Sequence, residues 1–471
     1  MPGVTIRNES CFAFLGRSLM MRSHYFFHSA VLISLVAAAC ADNAGDDTPN
    51  TGGTGSGASG GSGPGPVGGT AGKAASGGNG TGGSVTGGTG TGGTVTGGTG
   101  TGGTVAGGTG AGGAGGTGTA GSDTGGAGSG GGAPSGMGPC DIYEAASPSA
   151  PCVGAYSTIR RIRAAYTGPL FQVRSGSNAM NTGSGGETHD IAQTDGYALQ
   201  STVDAACGSG TCTVSLIYDQ SGRENHLKVA KRGLTNGGMY AGMDDFETVI
   251  NVAQAKIKVS GKDVYSLYMA ARQGYRQTVE GDGVPLGRES QGLYMLADGT
   301  HTGDACCWDF GNVSPDPTRY GVMNTLFLGK AYWGRGAGSG PWYMADFEAG
   351  VWAGGTDPGD PGWGALDGDH PINPANPSIR VKYALGFLKT NQNDWALRMA
   401  DAGTATTVST AYAGGLPKAM ANEGAIVLGV GGDNSNNSWG TFYEGAVLAG
   451  FPPDSAELAV LQNIKAVGYG N

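Results

Sequence analysis

Basic residues are scarce in this chain and never clustered: 27 Lys and Arg stand against 37 Asp and Glu over 471 positions, a formal net charge of −10. Without a basic patch or stripe there is nothing to neutralise a phosphate backbone, which excludes a nucleic-acid partner. An apolar run at residues 30–39 is too short to cross a bilayer. Histidine is also rare: beyond residue 40 only His189, His226, His301 and His370 remain, and no two are spaced as ligands on one strand or helix. No metal site and no cofactor are therefore expected. No serine sits in a recognisable nucleophile turn, which sets a Ser-His-Asp triad aside. Strings of the type G-x-G-x-x-G and G-x-S-x-G do occur, but inside a glycine-rich segment and not between a strand and a helix, so they carry neither a dinucleotide site nor a nucleophile elbow.

What is present divides the chain into three. Glycine accounts for 95 residues and crowds between positions 44 and 138, where TGGSVTGGTG, TGGTVTGGTG and TGGTVAGGTG repeat with little else than Gly, Thr, Ser, Ala and Val. Such a segment has nothing to build a core from, so residues 41–138 read as a flexible linker with a reach of about 50–60 Å. Ahead of it, residues 1–40 read as a signal region. Arg22 supplies the positive flank and small residues lead into Cys40, a pattern that resembles a bacterial lipoprotein signal with Cys40 as the lipidated residue. The lipobox Ala37-Ala38-Ala39-Cys40 has Ala where Leu is usual, and ordinary secretion after an Ala-x-Ala cleavage is the alternative. Translation starting at Met20 or Met21 would leave residues 1–19 outside both signal and domain. On either reading the protein is exported, as a bacterial cell-surface lipoprotein or a secreted protein, and meets the membrane only through that lipid.

Residues 139–471 have globular composition and length enough for a large core. Their six cysteines fit an oxidising compartment. Fifteen pairings are open on sequence alone, the local ones, Cys140 with Cys152 and Cys207 with Cys212, being simplest. Runs rich in aromatic and β-branched residues predict strands over 211–219, 263–270, 292–298, 324–333, 341–353, 378–390, 394–401, 424–432 and 441–451. Helical patterns are fewer, at 157–166 and at 454–467, where Asp454 and Glu457 are placed as a capping box. Strands without βαβ alternation predict an all-β fold, a concanavalin-like jelly-roll β-sandwich with a few short helices.

Carboxylates are the remaining chemistry. Asp346 and Glu348 in WYMADFEAG stand two apart, on one face if the segment is a strand. Neighbouring acids among Trp342, Tyr343, Met344 and Phe347 raise one another's proton affinity, which is tolerated for chemistry or ligand binding. Asp433 follows a glycine run in GVGGDNSNN, Glu444 lies in FYEG and Asp309 in CCWDFGN. A solvent-facing edge or a plain Asx turn would account for these acids equally, and pattern alone does not rank the five. Aromatics that can stack on sugar faces, with paired acids in an exported acidic sandwich, suggest carbohydrate as ligand: a glycosidase uses the acids for bond cleavage, a lectin for binding only.

The stretches PCDIYEAASPSAPCVGAYSTIR, YTGPLFQVR, LIYDQSGRENHL, LADGTHTGDACCWDFGN, GPWYMADFEAGVWAG and EGAIVLGVGGDNSNNSWGTFYEG closely resemble, in order, the catalytic domain of family 54 α-L-arabinofuranosidases of the arabinofuranosidase B type. The resemblance implies a retaining, exo-acting enzyme that removes terminal α-L-arabinofuranosyl groups from arabinan and arabinoxylan. It implies Glu348 as nucleophile and Asp433 as general acid/base, with Cys306, Cys307, Trp333, Asp346 and Gly432 lining the arabinose subsite. Where the family has Asn after the nucleophile this chain has Ala349, a change that bears on one sugar hydrogen bond and not on the chemistry.

The resemblance further implies a vicinal Cys306–Cys307 disulfide whose sulfurs pack on the sugar. A bridge between neighbours closes almost no loop, so its purpose is local shape rather than stability. Adjacent Cα atoms lie about 3.8 Å apart across a trans peptide, below the usual disulfide range. Fungal members carry a β-trefoil arabinose-binding module after the catalytic domain, and a chain ending at Asn471 is expected to lack it. The expected partner is arabinose-containing plant polysaccharide, met by a monomer.

Overall fold

A computed structural model describes residues 136–233, 244–319, 322–330, 335–347, 350–356 and 372–471. The expectations for Cys40, the tether, Trp333, Glu348 and Ala349 fall on residues outside that set.

Alternation of side chains along the strands builds two stacked sheets. One runs in the order Cys152–Ser157, Gly440–Ala449, Gln291–Thr302, Ala384–Thr390, Asp394–Asp401 and Ser409–Gly415, with Leu267–Met269 pairing on Gly440–Ala449. The other runs Gly350–Trp352, Trp342–Phe347, Met323–Gly329, Asp309–Val313, Ala425–Leu428, Tyr275–Arg276, Leu227–Val229, Cys212–Ile217, Phe171–Ser175 and Glu187–Ile191. Neighbours in both are antiparallel. From the first sheet Leu293, Met295 and Ala297 point inward, from the second Tyr343, Ala345 and Phe347, and these make one shared core. The period of two leaves Tyr294 and Leu296 on the far side of the first sheet and Trp342 and Met344 on the far side of the second. Across the middle, the Tyr343 hydroxyl lies 2.9 Å from the Met295 carbonyl and 3.0 Å from that of Ala384. This is the expected all-β sandwich of jelly-roll type.

The far side of the first sheet is covered. The helix Asp454–Val467 lays Val460, Leu461 and Ile464 over Tyr294, Leu296 and Leu385, beside the short helix Pro139–Ala145. Its start is not the expected capping box: Pro453 is the N-cap and makes no side-chain cap bond. Asp454 and Glu457 instead reach Lys389 and Arg398 on the sheet below. Nor is 157–166 helical. Burial of Arg160, Ile159 and Ile162 overrides the local pattern, and the backbone bonds outward, Arg161 N–H to Gly196 and Ile162 N–H to the Gln220 side chain. Cys140 is bonded to Cys152 (S–S 2.05 Å), tying the first helix to the first strand, and Cys207 to Cys212 (2.07 Å).

Candidate active site

The far side of the second sheet carries polar groups where the first carries a helix. Cys307 and Asp309 alternate with the inward Trp308 and Phe310, and Asp346 alternates with the inward Ala345 and Phe347. Between them runs Met323–Gly329, whose Thr325 pairs with both Gly311 and Asp346 and whose Phe327 pairs with both Asp309 and Met344. Cys306 and Cys307 are bonded to each other. Their peptide is cis rather than the trans form assumed above, with Cα atoms 3.0 Å apart. The Cys307 sulfur sits 3.4 Å from Asp346 Oδ2, against an apolar bed of Phe327, Trp342, Met344 and Val351.

Residues 429–438, leaving the Ala425–Leu428 strand, fold over this disulfide. Cys307 N–H donates to the Ser435 carbonyl at 3.4 Å and Asn437 N–H to that of Cys306 at 3.3 Å. Contact is close enough that a Cβ on Gly431 would lie 2.3 Å from Ser435 Oγ and 3.2 Å from Cys307 Cβ, so a larger residue here would displace the Ser435 hydroxyl. Asp433 Oδ1 accepts from Ser435 N–H at 2.9 Å. The buried Arg276 donates to the carbonyl of Gly432 at 3.1 Å and of Ser314 at 2.8 Å. Buried Asp245 accepts from the Asn434 and Asn436 side-chain amides. These two residues fix the loop from beneath.

Asp309, Asp346 and Asp433 are 0%, 4% and 6% exposed. Burial pushes the Asp346 carboxyl up to about 7; a hydrogen bond from Asp309 opposes the shift and the charge of Asp433 adds to it. Asp309 stands well above the ordinary carboxylate range through burial, then through the charge and hydrogen bond of Asp346 and the charge of Asp433. Asp433 is raised by burial against the bonds from Ser435 and the charge of Arg276. Burial without a neutralising partner favours the protonated acid, so the site can both hold and release protons near neutrality. The sulfurs of Cys306 and Cys307 and an Asp346 oxygen lie within 4.8 Å of one another, but sulfurs bonded to each other offer no thiolate to a metal.

Of the five sequence-derived acids, Asp309, Asp346 and Asp433 meet here, together with Gly432 and the cysteine pair. Glu444 does not. It lies in the other sheet and accepts from Arg160 at 2.5 and 2.7 Å and from Tyr469 at 2.5 Å, a structural ion pair. Sequence reasoning missed Arg276 and Asp245, whose local contexts GYRQ and DDFE carry no motif; the amide-rich NSNN after Asp433 was the available signal that the loop needed a buried acceptor.

Residues 139–470 match the family model described as α-L-arabinofuranosidase B, catalytic. The chain is 40% identical over 342 residues to a probable α-L-arabinofuranosidase B of Aspergillus flavus, covering 70% of this chain and 62% of that one. It is 38% identical over 340 residues to an arabinofuranosidase/β-xylosidase of Trichoderma koningii, covering 70% and 63%. The chain thus spans less than two thirds of the length of these curated relatives. Among solved structures it is similar to an arabinofuranosidase complexed with arabinofuranosyl-α-1,2-xylobiose and to a family 54 α-L-arabinofuranosidase soaked with a cyclic sulfate inhibitor. Both have TM-score 0.62 at 37% identity, covering 71% of this chain and 66% of theirs.

Proposed function

Because the chain belongs to the α-L-arabinofuranosidase B catalytic family through residues 139–470, we propose that it is a retaining, exo-acting glycoside hydrolase that releases terminal α-L-arabinofuranosyl groups from arabinan and arabinoxylan. The observation that carries the reading is the buried Asp433, raised by burial and held beside a disulfide and the buried Asp346. A carboxyl that keeps its proton at working pH is what a leaving oxygen requires. Glu348, two residues beyond Asp346 in sequence, is the nucleophile. It attacks the anomeric carbon while Asp433 protonates the departing oxygen; water, deprotonated by the now ionised Asp433, then hydrolyses the glycosyl-enzyme. Asp346, Gly432, Trp333 and the cysteine pair hold the sugar. The arabinofuranosylated xylobiose bound by one relative supports an arabinoxylan side chain as substrate, and the double name of the Trichoderma protein makes aryl β-xyloside the first side activity to assay.

Three disulfides fit export. In this reading residues 41–138 tether residues 139–471 to a lipid on Cys40 and the enzyme works as a monomer; an unacylated Cys40 with the protein free in the medium would end the anchor. The test of function is hydrolysis of an aryl α-L-arabinofuranoside by the full chain. Glu348→Gln is expected to abolish it and Asp433→Asn to lower kcat/KM by about 10²–10⁴-fold. A folded wild type that binds arabinoxylan and cleaves no furanoside would make it a lectin.

A further inference from the structure

Asp309 is the acid that the proposed mechanism leaves without a task. It is fully buried on the site face of its strand, and among the described residues neither carboxylate oxygen has a hydrogen-bond partner as long as both it and Asp346 are ionised. Among the described residues, the groups that face it are the Asp346 carboxyl across the Met323–Gly329 strand, the Asp433 carboxyl from the loop, and the Thr325 hydroxyl. Thr325 Oγ1 bonds to the Asp346 backbone carbonyl at 3.4 Å. An unpartnered buried carboxylate costs several kcal/mol, and among the described residues no cation stands against this one. A single proton removes the conflict, since a carboxylic acid is a donor and the facing Asp346 is an acceptor.

Resting on the arabinofuranosidase reading of the site, we propose that Asp309 is a positioning residue: it keeps one proton in a hydrogen bond to Asp346 and so turns the remaining Asp346 oxygen toward the sugar beside the disulfide. No bond is made or broken by Asp309 and no proton leaves the pair during turnover. The shared proton also spares the pocket one negative charge next to the two carboxylates that do the chemistry. Two ionised acids here would repel each other and swing Asp346 off the position set by its contact with the Cys307 sulfur. The upward displacement of both acids agrees with this arrangement.

Two measurements test it on the full-length protein. The first is infrared spectroscopy at pH 7, comparing wild type with Asp309→Asn: the wild type is expected to have a carboxylic-acid carbonyl stretch that the variant lacks. Identical spectra in that region overturn the proposal. The second is kinetic. Asp309→Ala, confirmed folded by circular dichroism, is expected to lower kcat/KM on aryl α-L-arabinofuranoside on the order of 10²-fold, as small misplacements of reacting groups do. Asp309→Asn, whose amide donates to Asp346 as the acid does, is expected to recover most of that loss. Equal damage from both variants, or none from Asp309→Ala, also overturns it. If Asp309→Ala does not fold, the spectrum decides. A wild type inactive on every arabinofuranoside sinks the functional reading but leaves the carbonyl band to judge the shared proton separately.

Discussion

Glu444 and Asp346 are both buried acids, one in each sheet, and the molecule treats them oppositely. Glu444 receives two hydrogen bonds from Arg160 and one from Tyr469. Glu457 on the covering helix is likewise held by Lys389 and Arg398. Asp346 has a disulfide sulfur on one side and another acid on the other. Where a buried charge joins a helix to a sheet, a cation answers it. Where it faces open chemistry, none does among the described residues, and the proton serves instead.

That contrast can be broken by exchange. Arg160→Met leaves Glu444 uncompensated and is expected to cost about 3–5 kcal/mol in denaturant unfolding with little change in the kcat of the folded fraction. Asp346→Asn should do the reverse, leaving unfolding unchanged or improved and activity largely lost. Any variant that moved both together would erase the distinction.

The disulfides repeat it at slightly smaller scale. Cys140 and Cys152 are 12 residues apart, Cys306 and Cys307 only one. Replacing the first pair by Ala is expected to cost about 2–5 kcal/mol of stability. Replacing the second pair removes almost no loop constraint, so melting should stay near wild type while KM for the furanoside rises. A large stability loss from the vicinal pair would mean that it braces the fold.

The smallest effect is in pH. Asp346 has its carboxyl near 7 when folded against an ordinary 3.8, so between those values the native state binds more protons than the unfolded chain. Stability therefore falls as pH rises from about 4 to 7 and is regained on acidification. Chemical unfolding at pH 5 and pH 7 should give the higher midpoint at pH 5, with a shallower difference in Asp346→Asn. A wild type more stable at pH 7 would mean the unpaired acids are compensated after all.

Much of this was legible in the chain. Short apolar and aromatic runs such as DWALRMAD and GLYMLAD became the strands Asp394–Asp401 and Gln291–Thr302, because a strand buried on both faces reads as a nearly continuous apolar run. STIRRIRAAY misled for the same reason inverted: its helical spacing of Ile and Arg reports on burial beside Glu444, not on a helix. The edge strand Glu187–Ile191, ETHDI, buries only its last residue and so left no alternation to read. In the site the local pattern raised Asp309, Asp346 and Asp433 without ranking them, and the resemblance supplied the role of Asp433 and of the cysteine pair. Arg276 and Asp245 were invisible, since each acts through a loop about 150 to 190 residues further on.

The strand Trp342–Phe347 divides its work by parity. Its odd-numbered positions, Tyr343, Ala345 and Phe347, belong to the core, and its even ones, Trp342, Met344 and Asp346, to the pocket. Substitution can therefore edit the pocket while sparing the core, whereas deleting one residue would exchange the two sets wholesale. Within this strand the pocket should diversify by point change and never by change of length, a signature that a library of single-codon deletions would expose at once.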